Sequence, residues 1–138
     1  VPTTTDLNHA KEIEVATQVY AAINRGDIPA VLAFFDSEIV RIEPAESPME
    51  GTYRGHAEID AHFSKARASW DEGSCEPEKI SVIKNKVIVF AHVRVRLKNK
   101  AEWIEGHVAD VFTFRNGKVI EMRLFIDGQD ATKWANHE

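Results

Sequence analysis

One cysteine, Cys75, is all the thiol chemistry that the 138 residues contain. That count excludes an intramolecular disulfide and any cysteine-rich metal site. Long apolar runs are missing too, since none approaches the ~20 residues of a spanning helix. With 28% charged residues, no membrane partner is expected. Basic residues are outnumbered, 17 against 22 acidic, for a net charge of −5, and they are dispersed. Without a basic patch, nucleic acid is not an expected partner either. Val1 to Glu12 is polar and holds two acids, which does not read as a signal peptide, so the expected location is cytoplasmic. Glycine-rich phosphate loops, zinc-ligand spacings and nucleophile elbows are lacking, and the expectation is of no metal and no cofactor. Repeats and low-complexity segments are absent as well.

What is present suffices for one domain over residues 1–138, because 43% hydrophobic residues can build a core without staples. Two helices come first. Asp6 is a candidate N-cap, and Ile13, Ala16, Tyr20 and Ile23 recur at helical spacing. Gly26 suits a helix stop, and Asp27 can cap a short second helix that tolerates Pro29 in its first turn. A strand is expected over Glu38–Glu43, then a loop over Pro44–Gly55. A third helix is expected from His56 to Trp70, on Ile59, Phe63, Ala66 and Trp70. Beyond Pro77 the pattern alternates with period two and predicts strands near 79–84, 87–98, 101–114 and 118–126, followed by a tail helix from Asp130. The class is α+β, with helices packed on one face of an antiparallel sheet.

Alternation sorts the side chains by face. Val87, Val89, Ala91, Val93, Val95 and Leu97 form an inner row, and a turn at Asn99-Lys100 sets Val95 opposite Ile104, Ala91 opposite Val108 and Val89 opposite Asp110. Asp110 therefore sits on an apolar row. Lost hydration would raise its pKa, and a protonated acid can donate to an oxygen that gains charge in a transition state. The bland reading is a bond to a buried backbone group or an arginine. Register bears on the choice. A three-residue loop with Gly117 left-handed puts Met122 opposite Asp110, whereas a two-residue Asn116-Gly117 turn puts Arg123 there. The first buries Ile120, Met122, Leu124 and Ile126 and is favoured for that reason. Glu43, before a proline and beside the long loop, is a candidate general base. Arg41 shares its face at i+2, and pairing with Arg41 would lower the Glu43 pKa.

The histidines receive plain readings: His56 and His62 as half-exposed helix positions, with His62 at most at a pocket edge, and His92 beside His107 as too few ligands for a metal. The outer face, with cations, acids, Arg123 and Phe125, is the expected homodimer surface.

Several segments resemble the SnoaL-like family of the nuclear transport factor 2-like superfamily, which includes the ketosteroid isomerases. They are Tyr20 to Asp27, Glu43-Pro44, Gly51 to Gly55, and Asp110 to Val119. The resemblance covers residues 10–128. It implies a cone of three helices against a strongly curved sheet, commonly dimeric, with an apolar cavity. It also implies that Glu43 lies where the isomerases carry their general-base carboxylate, and Asp110 where they carry the protonated acid of the oxyanion hole. The isomerase tyrosine aligns with Val19, one residue short of Tyr20, and one helical step turns a side chain by ~100°. Steroid isomerisation is therefore not expected. Tyr20 instead matches a tyrosine common among SnoaL-like proteins.

The expected function is cofactor-independent acid–base catalysis (isomerase, cyclase or dehydratase type) on a small, mostly apolar carbonyl compound. Asp110 would be acid or hydrogen-bond donor and Glu43 base, with Tyr20, Tyr53, Phe63, Val95, Val108, Phe112 and Met122 around the substrate. The alternatives are a non-catalytic binding protein for an apolar metabolite and a dimerisation module.

Overall fold

A computed structural model describes residues 4–138. Helix α1 (Thr4–Asn24) starts ahead of Asp6, which lies inside the helix and not at its cap. Ala16, Val19 and Tyr20 form its buried stripe. Its end is set by Gly26 at φ +74°, with Asp27 N–H donating to Ala22 O and Gly26 N–H to Ile23 O. This is the paired bonding of a Schellman stop. Asp27 then caps α2 (Ile28–Leu32) by accepting from Ala30 N–H, with Pro29 in the first turn, as its sequence predicts.

Strand β1 (Phe35–Glu43) is followed by β2 (Gly51–Arg54), a strand that the turn-rich composition of this loop concealed. Helix α3 (Gly55–Ala68) stops short of Trp70. Trp70 instead opens β3 (Trp70–Ile83), about nine residues earlier than the alternation suggests. Residues Asp71 to Glu76 are nearly all polar because β3 is an edge strand, and Pro77 is tolerated there at a register shift. Gly73, at φ +115°, lies so close to β4 that an added Cβ would stand 2.1 Å from Arg94 O. Strands β4 (Lys86–Leu97), β5 (Trp103–Arg115) and β6 (Lys118–Phe125) complete one six-stranded sheet in the order β2-β1-β6-β5-β4-β3. The sheet is mixed, since β1 runs parallel to β6.

The β4–β5 register agrees with the sequence reading: Val95 faces Ile104, Ala91 faces Val108 and Val89 faces Asp110. The last hairpin corrects both options. Asn116 and Gly117, at φ 53° and 79°, form a two-residue turn between Arg115 and Lys118. A bulge then leaves Ile120 without a partner, so Asp110 faces Leu124, neither Met122 nor Arg123. The extra residue restores parity, which keeps Met122 and Leu124 on the cavity side and sends Arg123 outward.

Helices α1 to α3 cover the inner face with the main core. Helix α4 (Gly128–His137), capped by Asp127, corrects the one-face arrangement. Its Ala131 and Ala135 pack with Ile88, Ala109 and Val111 on the opposite face. There Phe125 lies 5.9 Å from the Trp134 ring, and Arg123 sits 4.4 Å over it. Two residues expected at a dimer surface are thus engaged by the chain's own helix. No helix among the described residues is long and apolar enough to cross a membrane.

Candidate active site

Between α1, α3 and the inner sheet face lies a cavity of about 330 Å³. Val95, Val108, Met122 and Phe63 line it as expected, joined by Ile23, Trp70, Val93, Leu97, Ile104 and Leu124. These walls are apolar because each strand contributes alternate residues to this side. Apart from Arg67 and Ser69 near the C-terminal end of α3, its polar part is a single connected group. Tyr20 comes from α1, Arg41 and Glu43 from β1, Ser47 from the β1–β2 loop, His62 from α3 and Asp110 from β5.

Arg41 is the hub. Its Nη1 donates to Asp110 Oδ1 at 2.6 Å and its Nε to Glu43 Oε2 at 3.2 Å, with both side chains buried. Asp110 also accepts the Tyr20 hydroxyl on Oδ2. Glu43 further accepts from His62 Nε2 at 2.7 Å and from Ser47 Oγ. Burial alone would raise the Glu43 carboxyl, but the His62 bond, the Arg41 charge and the Ser47 hydroxyl outweigh it and hold the pKa at about 2. The Tyr20 hydroxyl is pushed well above its ordinary value by burial and then by the Asp110 charge, so it stays neutral. For Arg41, burial acts downward and the charges of Asp110 and Glu43 override it, so the guanidinium is firmly cationic. Cys75, also on the wall, is pushed up to about 12 by burial and by Asp110 and is a thiol.

Both acids named from the sequence meet here, and Glu43 faces inward. Their state differs from the expectation. Asp110 is an ion-paired acceptor of two hydrogen bonds, the arrangement of its bland reading, with Arg41 as the arginine. Two expected lining residues fall outside the wall. Tyr53 stacks on His62 at 3.9 Å and donates to Met49 O, so it braces the loop. Phe112 is fully buried with its ring 6.2 Å from that of Tyr20. Tyr20 reaches Asp110 despite its offset from Val19, which is buried in the core.

His62 is the main residue that the sequence reading undervalued, being 3% exposed and not half-exposed. The signal was there: Ile59, His62, Phe63 and Ala66 stand at i, i+3, i+4 and i+7, one stripe of α3. Among the described residues no three His, Cys, Asp or Glu side chains converge as metal ligands. A more open groove beside α4, lined by Phe90, Asp127, Gly128 and Lys133 among others, lacks such a network.

The sequence matches the SnoaL-like domain family over residues 16–122. No curated protein matches it. Among solved structures, a nuclear transport factor 2-like protein from Burkholderia xenovorans LB400 is 30% identical, with 92% of this chain and 97% of that one covered at a TM-score of 0.73. A protein provisionally named a SnoaL-like polyketide cyclase, from Jannaschia sp. CCS1, is 14% identical over 94% of each chain, TM-score 0.74. A protein of ketosteroid isomerase-like fold from Catenulispora acidiphila DSM 44928, in complex with trimethylamine, is 15% identical over 81% of this chain and 84% of that one, TM-score 0.73. The matched residues include Tyr20, Arg41, Glu43, His62 and Asp110, the polar end of the cavity, and on that match the chain belongs to the SnoaL-like domain family.

Proposed function

We propose that this protein catalyses proton transfer, without a cofactor, on a small, uncharged, mostly apolar carbonyl compound held in the cavity, in the manner of an isomerase, cyclase or dehydratase. The carrying observation is a mostly apolar chamber that holds, at one end, one hydrogen-bonded set of proton donors and acceptors. Size favours a compound of about two fused rings, because ~150 Å³ accepts benzene and this cavity has about 330 Å³. Charge favours a neutral one. One guanidinium faces two carboxylates, and Arg67, bonded only to the Ile23 and Asn24 carbonyls, brings a second guanidinium to the wall, so with His62 neutral the ionised groups lining the cavity balance and attract neither ion class.

The roles shift from those of the isomerases. Asp110 and Glu43 hold Arg41 and orient its guanidinium, which has five N–H groups and commits Nε and Nη1 to them. Its remaining N–H groups are the donors for an oxygen that becomes an enolate, a form of preorganised stabilisation worth several kcal/mol. The Jannaschia neighbour's name points to the same class of chemistry.

The test is hydrogen–deuterium exchange of an enolisable bicyclic ketone, 2-tetralone, in D2O, followed by NMR. Wild type is expected to give saturable exchange above buffer, slowed at least ~10-fold in Asp110→Asn, which loosens Arg41. Saturable binding of 2-naphthol with no exchange would select the binding-protein reading, which the low Glu43 pKa favours. Failure of both compounds to bind would end the small-molecule proposal.

The homodimer belongs to the same proposal, now confined to the outer face beyond α4. There Trp103, 38% exposed, lies under Arg94 at 3.9 Å, beside Glu105 and His92. Light scattering should give twice the chain mass for wild type and a single chain mass for Trp103→Glu. A monomeric wild type would remove this part.

A further inference from the structure

Arg67, in the last turn of α3, is half-buried and lines the cavity, yet it stands outside the Arg41 network. Its Nε donates to Ile23 O at 3.0 Å and its Nη2 to Asn24 O at 2.9 Å. Both carbonyls lie in the last turn of α1, where a cation offsets the negative end of the helix dipole. The charge of Arg67 is thereby answered by the helix end, and three of its five N–H groups are left over. Nη1 makes no hydrogen bond to a described residue and is not among the buried unpartnered atoms, which are His62 Nδ1 and Thr113 Oγ1, so it is open to water. The guanidinium carbon lies 5.0 Å from the centre of the Trp70 ring, and Ile23 and Trp70 on either side of it both line the cavity. One turn earlier on α3, Phe63 packs against the Arg41 guanidinium at 5.5 Å. Four residues advance a helix by ~6 Å, so the cavity has two sets of spare guanidinium donors about one turn apart along α3, with Phe63 and Ala66 on the wall between them.

We propose that Arg67 is a specificity-determining residue: the compound held in the cavity carries a second, uncharged carbonyl oxygen at the end opposite the one that meets Arg41, and Arg67 Nη1 donates to it. The inference rests on the reading of the cavity as a small-molecule site and narrows its ligand to a bicyclic compound with an oxygen on each ring. An apolar far end would strip water from the open N–H groups and leave them unpaired, which costs affinity. An acceptor there restores the bond, and a charged donor makes it stronger than a neutral one. An uncharged oxygen fits better than a carboxylate because the α1 carbonyls already answer Arg67. At the other end, two carboxylates already face one guanidinium and disfavour a second anion nearby.

The experiment measures Kd by calorimetry for 6-acetyl-2-naphthol, for 6-isopropenyl-2-naphthol, which has the same shape without the second oxygen, and for 6-hydroxy-2-naphthoate, which offers a carboxylate. Each is titrated into wild type and into Arg67→Met, which keeps the apolar stem. The acetyl compound should bind wild type ~10-fold or more tightly than the isopropenyl one, and the ratio should fall to within ~2-fold in Arg67→Met. Any effect of the acetyl group on naphthol acidity persists in the variant and is separated in this way. The nitrogen-15 NMR signal of the Arg67 Nε–H in wild type should move with the acetyl compound and stay with the isopropenyl one. Equal wild-type affinity for the two overturns the inference and leaves the cavity reading standing. A ratio that persists in Arg67→Met overturns the assignment to Arg67. Tighter binding of the naphthoate than of the acetyl compound overturns the uncharged class. If Arg67→Met fails to fold, the Arg67 signal decides, and the lack of an acetyl-specific shift overturns the inference. Failure of all three compounds and of 2-naphthol itself to bind defeats the small-molecule reading and this inference with it.

Discussion

Removing one partner of a buried ion pair strands the other charge at a cost of about 3–5 kcal/mol, and Arg41 has two partners to strand. Arg41→Met should therefore lower the urea-unfolding free energy by about that amount. Combining it with Asp110→Asn should cost clearly less than the separate losses added together, because the two residues share one network. Additive losses would mean that Arg41 acts through packing on Phe63, 5.5 Å away. Glu43 makes a second prediction, in pH. Its folded pKa of about 2 lies below the ordinary 4.5. A depressed acid contributes stability that is fully present above the unfolded pKa and is lost as pH falls through the folded one. Stability should thus drop by about 2–3 kcal/mol between roughly pH 5 and 2, and Glu43→Gln should flatten that limb. An unchanged limb would show that Glu43 is not the group titrating.

Among the elements, β3 is a strand whose second half the hydrophobic pattern located and whose first half it missed. Its first half is polar because the strand is at the sheet edge, and its course depends on Gly73 lying against the β4 backbone. Gly73→Ala drives a methyl toward Arg94 O at 2.1 Å and holds a non-glycine residue at φ +115°. The chain should lose at least ~2 kcal/mol of stability on thermal or urea unfolding, together with ligand affinity, since Trp70 and Cys75 on the same strand line the cavity. A neutral substitution would mean that β3 can slide on β4. Strand β2 escaped notice for a related reason: four residues with intermediate burial at most carry too little alternation to stand out from turn residues. The long β4–β5 pair was legible because eleven paired positions average over local exceptions.

At the level of the whole molecule, α4 closes the outer face over Ile88, Ala109 and Val111 as α1 to α3 close the inner one. Trp134, half-buried between Phe125 and Arg123, holds it in place. Trp134→Ala should cost about 2–3 kcal/mol, below the full-burial range for tryptophan, and raise binding of an apolar dye such as ANS as the outer cluster opens. Stability lost with no added dye binding would mean that the helix stays seated without the ring. The cavity lies across the sheet from α4, so ketone exchange by the folded fraction should be unaffected.

The α+β class, the inner row of β4 and β5, the inward place of Asp110 and the shared face of Arg41 and Glu43 were all determined by the sequence itself, because two-residue and 3.6-residue periods assign faces locally. Tertiary structure alone decided three things. A bulge at Ile120 chose Leu124 as the neighbour of Asp110, since one extra residue reverses every face beyond it. The parallel β1–β6 contact brought Arg41 to Asp110, 69 residues away in the chain. The crossing of α3 over β1 turned His62 toward Glu43. Whether a buried acid is a neutral donor or half of an ion pair depends on which charge the fold brings within ~3 Å, and periodicity carries no information about partners so distant in sequence.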